Sequence, residues 1–170
     1  GIQGTVILII DVDANGNVYA IGNFSGTAYF GEEVLFARGL SDVFVIKHDP
    51  GGKVLWAASA GGLLLDGGNA LVVDAAQNVY VSGSFMKEMQ FESDDDVFSG
   101  GGAPLELGRP GSLGRDWFVA KLDSVGDWQW ARQVGHTTGG QQIGDAIALA
   151  PAVNDPFNPT SAINAQAHLM

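Results

Sequence analysis

A chain of 170 residues, 46% of them hydrophobic, is long enough to bury a core and too apolar to remain disordered. Its 19 acidic residues outnumber 8 basic ones, and the formal net charge of −11 repels phosphate backbones and anionic membranes, so nucleic acid is not expected as a partner. There is no cysteine, hence no disulfide or thiol chemistry, and apolar runs such as Val6–Ile10 stop far short of the roughly 20 residues of a membrane span, so no membrane insertion is expected.

The first apolar, β-branched run is Val6–Val12, followed by the turn Asp13-Ala14-Asn15-Gly16 and a second run, Asn17–Phe24. Runs at Asp42–Asp49 and Lys53–Ser59 flank the turn Pro50-Gly51-Gly52. The pattern then repeats at Asn69–Val73, Asn78–Phe85, Asp116–Asp123 and Asp127–Val134. DANGNVYAIGNF from Asp13 returns as DAAQNVYVSGSF from Asp74, 61 positions on. SDVFVIKHDPGGKVLWA, ending at Ala57, returns as RDWFVAKLDSVGDWQWA, ending at Ala131, 74 positions on. A third copy begins with Asp145–Leu149, which matches Asn69–Val73, before Pro151 and a polar tail from Asn154 to Met170.

Repeats of this size mark units that cannot bury their faces alone. The runs are apolar on both sides, with Phe44 and Ile46 opposite Val43 and Val45, and Phe118 opposite Trp117 and Val119. Sheets covered on both faces suit stacked propeller blades better than a one-sided sandwich. The expected fold is all-β: β-propeller blades, two of them four-stranded, plus the first strand of a third. The blades are expected at residues 1–60 and 61–135, the latter with an inserted loop at 92–115. A further first strand follows at 136–151 and the tail at 152–170.

The combination D-x-x-x-N-V-Y-x-x-G-x-F, then D-x-F-V-x-K-x-D, then W-A resembles the bacterial β-propeller repeat of the SBBP type, over roughly Asp11 to Ala150. His48 stands where that family prefers Leu, and Gln77 replaces the turn glycine present as Gly16. The resemblance implies blade architecture, an extracytoplasmic location (secreted, periplasmic or cell surface) and no shared catalytic residues. Two blades do not close a ring. The chain is therefore expected either to continue into further blades of a longer propeller or to close a ring as a homo-oligomer, with Asp145–Leu149 donated to a neighbouring chain. It opens at Gly1 with neither an initiator Met nor a basic-then-apolar leader, which leaves open a removed signal peptide or a piece of a longer protein.

Residues that recur in both copies most simply serve the module: Asp42 with Asp116, Lys47 with Lys121, Asp49 with Asp123, and Trp56 with Trp130. Departures between copies are the functional candidates. Phe24 to Asp42 spans 18 positions and Phe85 to Asp116 spans 31, so the second copy carries 13 extra residues. This insert holds Glu92, Asp94, Asp95 and Asp96, which read either as a Ca²⁺ site of flexible carboxylates or as a solvated acidic loop. The connection from Gly135 to Gly144 shares its ring face and offers His136 and Gln141 as ligand contacts. Asp11, Asp13 and Asn15 match the opening of a calcium loop, D-x-D-x-N-G, but Gly22 stands where its bidentate Glu belongs. Motifs for acyl transfer, phosphate binding, zinc proteolysis and dinucleotide binding are absent.

The sequence thus points to a non-catalytic structural or protein-interaction module of an extracytoplasmic or cell-surface bacterial assembly, with no cofactor other than Ca²⁺ in prospect. The alternative is a carbohydrate-binding, lectin-like propeller in which Trp117 and Trp128, each present in the second copy alone, stack on sugar rings.

Overall fold

Short β-branched and aromatic runs punctuated by Asp, Asn and Gly give the chain a strand period and no helical one. The computed structural model describes residues 4–93, 105–108, 114–134 and 146–149, and every regular element among them is a strand. In chain order these are β1 (Gly4–Val12), β2 (Val18–Ser25), β3 (Thr27–Phe30), β4 (Glu33–Phe36), β5 (Asp42–His48), β6 (Val54–Gly61), β7 (Gly67–Val73), β8 (Val79–Met86), β9 (Glu88–Ser93), β10 (Glu106–Gly108), β11 (Arg115–Leu122) and β12 (Trp128–Val134).

Two antiparallel meanders account for the expected strands. Unit 1 runs β1-β2-β5-β6 and unit 2 runs β7-β8-β11-β12. Their registers repeat in detail. A bulge between Ile7 and Ile9 recurs between Gly68 and Ala70, and one between Lys47 and His48 recurs between Lys121 and Leu122. Bulges are specific local twists, so the match makes the copies equivalent position by position. Gln77 adopts φ 65°, as Gly16 does at 80°, so the turn keeps its geometry despite the lost glycine.

The four-strand reading misses a hairpin in each copy. After β2 the chain forms β3-β4, and after β8 it forms β9-β10 in the same register, with Leu35 opposite Ala28 and Leu107 opposite Met89. The insert expected as a loop at 92–115 is therefore partly strand: Glu92 and Ser93 end β9, Glu106–Gly108 form β10, and Arg115 starts β11. Moreover, β9 reaches back to unit 1 and pairs with β6, setting Phe91 opposite Ala60 and Glu92 opposite Ser59. Strand addition covers part of an edge that would otherwise offer unpaired backbone groups. Ala146–Leu149, where a third unit was expected to begin, have no strand assignment, and the tail at 152–170 lies outside the described residues.

The larger core lies between the units. One face of unit 1 contributes Tyr19, Ile21, Val43, Val45, Trp56, Ala58 and Ala60; unit 2 contributes Leu71, Val81, Phe85, Phe118, Ala120 and Trp128, with Met89 and Phe91 from β9. A smaller cluster on the far face of unit 1 joins Phe24, Phe44 and Ile46 to Ala28 and Leu35 of the β3-β4 hairpin. The face that unit 2 turns to unit 1 therefore corresponds in sequence to the outward face of unit 1. The units stack head to tail.

Candidate interaction surface

Five polar contacts lock unit 1 onto unit 2. The Trp56 indole Nε1 donates to the Ser124 carbonyl at 3.2 Å, and the Lys47 ammonium donates to the same carbonyl at 3.4 Å and to Gln77 Oε1 at 3.1 Å. Asn23 Oδ1 accepts from the Gly68 amide at 2.9 Å, and Asp11 Oδ2 from the Val73 amide at 2.9 Å. Shape follows the same logic. The Trp56 ring stands on Gly126, where a Cβ would come within 2.8 Å of Cδ2, and Ile21 occupies the space above Gly68, where a Cβ would lie 2.5 Å from Cδ1. Lys47 sits over the Tyr19 ring at 5.1 Å, and Tyr19 meets Trp56 edge-on at 6.1 Å. Burial lowers the Lys47 pKa, against the opposing pull of the Asp13 carboxylate. At the other end of the interface Trp128 Nε1 donates to the Glu92 carbonyl at 2.9 Å, and Arg38 pairs with Glu92 and Gln90.

At the two ends of the stack the centres of the corresponding faces are buried, Ala20, Phe44 and Ile46 on unit 1 and Ser82 and Val119 on unit 2, while some residues around them are exposed. On the outward side of unit 1, Ile7, Ile10 and Val12 are exposed, Ile10 by 62%, whereas Leu71, which holds the same position in unit 2, is 6% exposed. The residues of β3-β4 that point away from the sheet, Tyr29 and Phe36, add 74% and 66% exposed aromatic side chains. On the outward side of unit 2, Lys121 lies 5.5 Å from the Tyr80 centroid and Trp130 lies 6.4 Å from it, which reproduces the Lys47-Tyr19-Trp56 arrangement. Lys121 and Trp130 are half-buried there, while Lys47 and Trp56 are buried.

Among the described residues, the sequence-derived site residues do not gather into a metal or sugar site. Asp13 Oδ1 accepts from the amides of Asn15 and Asn17, at 2.9 and 3.0 Å, and Oδ2 accepts from Asn17 Nδ2 and the Tyr19 hydroxyl, at 2.7 and 3.1 Å. Its lone pairs are spent on the turn. Desolvation raises its pKa, but these hydrogen bonds together outweigh it and hold the carboxyl below its ordinary value. Asp74 repeats the arrangement with Ala76, Asn78 and Tyr80. Asp11 is turned to its own strand and to Val73. The expectation of a calcium loop at Asp11, Asp13 and Asn15 is thus replaced by an Asx-type turn. Among the described residues no group of three His, Cys, Asp or Glu side chains is placed to hold a metal ion. Asp94, Asp95, Asp96, His136 and Gln141 lie outside the described residues.

Trp117 and Trp128 do not form one cleft. Trp117 shares a face with Val119 and Lys121, the outward side of unit 2, whereas Trp128 pairs with Leu122 and packs against Phe91 at 4.9 Å between the units. Trp128 is 4% exposed, which removes it from any sugar-stacking surface. The buried Trp117 Nε1 and Ser82 Oγ have no hydrogen-bond partner among the described residues.

Sequence reasoning also passes over Asp66. It is buried in the connection between the units, where Oδ2 accepts from the Gly62 amide at 2.6 Å and Oδ1 from the Met86 amide at 3.0 Å. Burial pushes its pKa up to about 6, with the Asp42 charge adding to the rise and these amides and Arg115 opposing it. Asp42 is likewise raised by burial, against hydrogen bonds from the amides of Arg38 and Gly39. Both carboxyls fasten loop backbone. No local motif announces Asp66 in the sequence.

No family model matches the chain. Over 100 residues, 59% of its length, it is 27% identical to an uncharacterised WD repeat-containing protein of Acanthamoeba polyphaga mimivirus. The match covers 7% of that protein, so the chain spans a small part of the curated relative. An all-β chain of antiparallel units stacked face to face, similar to a WD repeat protein, is consistent with a β-propeller-like repeat.

Proposed function

We propose that the chain is a β-propeller segment of the SBBP-like kind and works as a non-catalytic protein-interaction module, without a cofactor, in an extracytoplasmic assembly. The location rests on the repeat resemblance. The observation that carries the interaction role is the outward face of unit 1. Positions that unit 2 buries against its neighbour, Leu71 above all, are present there as exposed Ile10, Ile7 and Val12, and Tyr29 and Phe36 of the β3-β4 hairpin are exposed as well. Exposed apolar side chains along one strand, as in β1, favour a protein-contact site, and burying each large aliphatic side chain stabilises a complex by about 1.5–3 kcal/mol.

An apolar fluorescent dye tests the reading. The native chain binds it with enhanced emission, and Ile7→Asp combined with Ile10→Asp abolishes most of the signal while the far-UV spectrum stays β-rich. Undiminished dye binding by the double variant, or none by the parent, refutes the assignment of this face.

A further inference from the structure

We infer that Asp42 and Asp66 form a buried carboxyl pair that takes up one proton on acidification, and that this proton tightens the connection between the two units. The inference is independent of the partner reading above and concerns what holds the stack together.

Two loops laid side by side build the pair. Ser41 and Leu65 form a parallel bridge, the amides of Leu40 and Ser41 donate to the Leu64 carbonyl at 3.1 and 3.2 Å, and the Asp66 amide donates to the Ser41 carbonyl at 2.8 Å. Asp42 and Asp66 each follow a bridged residue, so they are the next neighbours along the pairing, and backbones paired in this way lie about 5 Å apart. Gly61 and Gly62 make room for both side chains. A Cβ at Gly61 would collide with the Asp42 carboxyl, and one at Gly62 would lie 3.6 Å from Asp66 Oδ2. Each aspartate is 2% exposed.

Their hydrogen bonds leave a place for one proton. Asp42 Oδ2 accepts from the Arg38 amide at 2.8 Å, while Oδ1 is buried and has no hydrogen-bond partner among the described residues. Asp66 ties the connection to itself through the Gly62 amide, at 2.6 Å, and to the end of β8 through the Met86 amide, at 3.0 Å. The charged groups around the pair are engaged elsewhere. Arg38 is turned to Glu92 and Gln90, Arg115 of β11 donates to Ser84 Oγ at 3.1 Å, and Lys87 and Glu88, at the turn from β8 to β9, pair with each other at 3.9 Å. Burial raises both carboxyls and outweighs the pull of Arg38 on Asp42 and of Arg115 on Asp66. Two like charges buried at neighbouring positions resist joint ionisation, and their protons leave in steps that belong to the pair. A proton on Asp66 removes the repulsion and offers an O–H to Asp42 Oδ1, the acceptor left without a donor.

The sign follows from the raised value. Asp66 stands at about 6 in the closed connection and returns toward 3.8 when the connection opens, so closure is strongest near the lower value and weakens as pH rises to the upper one. The opening equilibrium changes by up to about a hundredfold over that range.

Hydrogen exchange of the full chain from about pH 4 to about pH 7, corrected for the intrinsic rate at each pH, and a carbon NMR titration of the aspartate carboxyls test the inference. The expected result is a one-proton midpoint near 6 at Asp66, with protection of the Gly62 and Met86 amides falling by up to about a hundredfold as pH rises to that midpoint. Asp42→Asn removes the neighbouring charge and is expected to move the Asp66 midpoint down toward the ordinary carboxylate range. Asp66→Asn has no proton to take up and is expected to lose most of the pH dependence of Gly62 protection. A parent whose Asp66 carboxyl titrates in the ordinary range, or whose two amides keep constant protection, overturns the inference. An Asp42→Asn midpoint equal to the parent's overturns it as well, since Asp66 would then titrate through burial alone. Should Asp66→Asn fail to fold, the parent and Asp42→Asn decide the matter.

Discussion

Gly52 and Gly126 are a matched pair for measuring what stacking contributes. Both end an Asp-x-x-Gly turn at positive φ, 87° and 98°, so an alanine at either place carries the same backbone penalty, about 1–2 kcal/mol. They differ in their surroundings. A methyl at Gly52 enters open space, whereas at Gly126 it would lie 2.8, 3.0 and 3.1 Å from the Trp56 atoms Cδ2, Cγ and Cε3. The indole cannot retreat freely, because its Nε1 is tied to the Ser124 carbonyl and its edge meets Tyr19. Overpacking of this kind costs a further 1–3 kcal/mol or so. Gly126→Ala is therefore expected to lose about 2–5 kcal/mol and Gly52→Ala about 1–2. Equilibrium urea denaturation, followed in parallel by tryptophan emission and far-UV ellipticity, reads both from the midpoints at unchanged slope. Equal losses would refute the stacked arrangement, since they would place nothing on Gly126 that is not also on Gly52.

The same logic predicts that Trp56→Ala lowers stability by about 3–5 kcal/mol, a core truncation, while Trp130→Ala in the dilute monomer loses less than half of that; thermal melts of the two variants compare them. Phe91→Ala removes a ring that is 2% exposed and stacked edge-on to Trp128 at 4.9 Å and Phe118 at 6.0 Å, so it should cost about 3–5 kcal/mol and shift tryptophan emission to longer wavelength. Asp66 gives the stability a pH signature. Its pKa rises from 3.8 to about 6 on folding, so between those values the folded state binds more protons and stability falls as pH rises, by at most about 3 kcal/mol from this group. Asp42, raised as well, acts in the same direction, whereas Asp13, lowered, supplies stability that is lost as pH falls below its unfolded value near 3.8. Asp66→Asn should flatten the profile between pH 4 and 6; a profile as steep as the parent's would exclude Asp66 as its source.

Most of the strand pattern was legible because apolar runs and Asx turns are local. Asp13, Asp49, Asp74 and Asp123 each close a turn with their own neighbours' amides, and the strands begin and end within two or so residues of those turns. What escaped depends on partners distant in sequence. Thr27–Phe36 is two runs of four residues around Gly31 and Glu32, too short to stand out, and its partner hairpin in the second copy is split by a long insertion. Pairing of β9 with β6 joins residues about thirty positions apart and has no turn to advertise it. The two tryptophans of β12 point to opposite faces because Gln129 is the extra residue of a bulge, and a one-residue slip of this kind reverses which face a side chain occupies. Reading Trp128 as a sugar platform failed at that point.

Burial in this chain is set by place in the stack as much as by residue type, and this inverts one rule used on the sequence. Unique residues were expected to carry function and recurrent ones to serve the module. The described start of the insert, Glu92 and Ser93, instead completes β9, and this strand, whose counterpart in the first copy is β3, runs along the edge of β6 and brings Phe91 and Glu92 to Trp128, a clasp between the two units. The recurrent set behaves differently in each copy. Lys47 and Trp56 are consumed by the following unit, and Lys121 and Trp130, chemically identical and similarly arranged, remain half-buried on the outward face of unit 2. The same motif is thus buried and hydrogen-bonded where another unit packs on it, and half-buried where none of the described residues does.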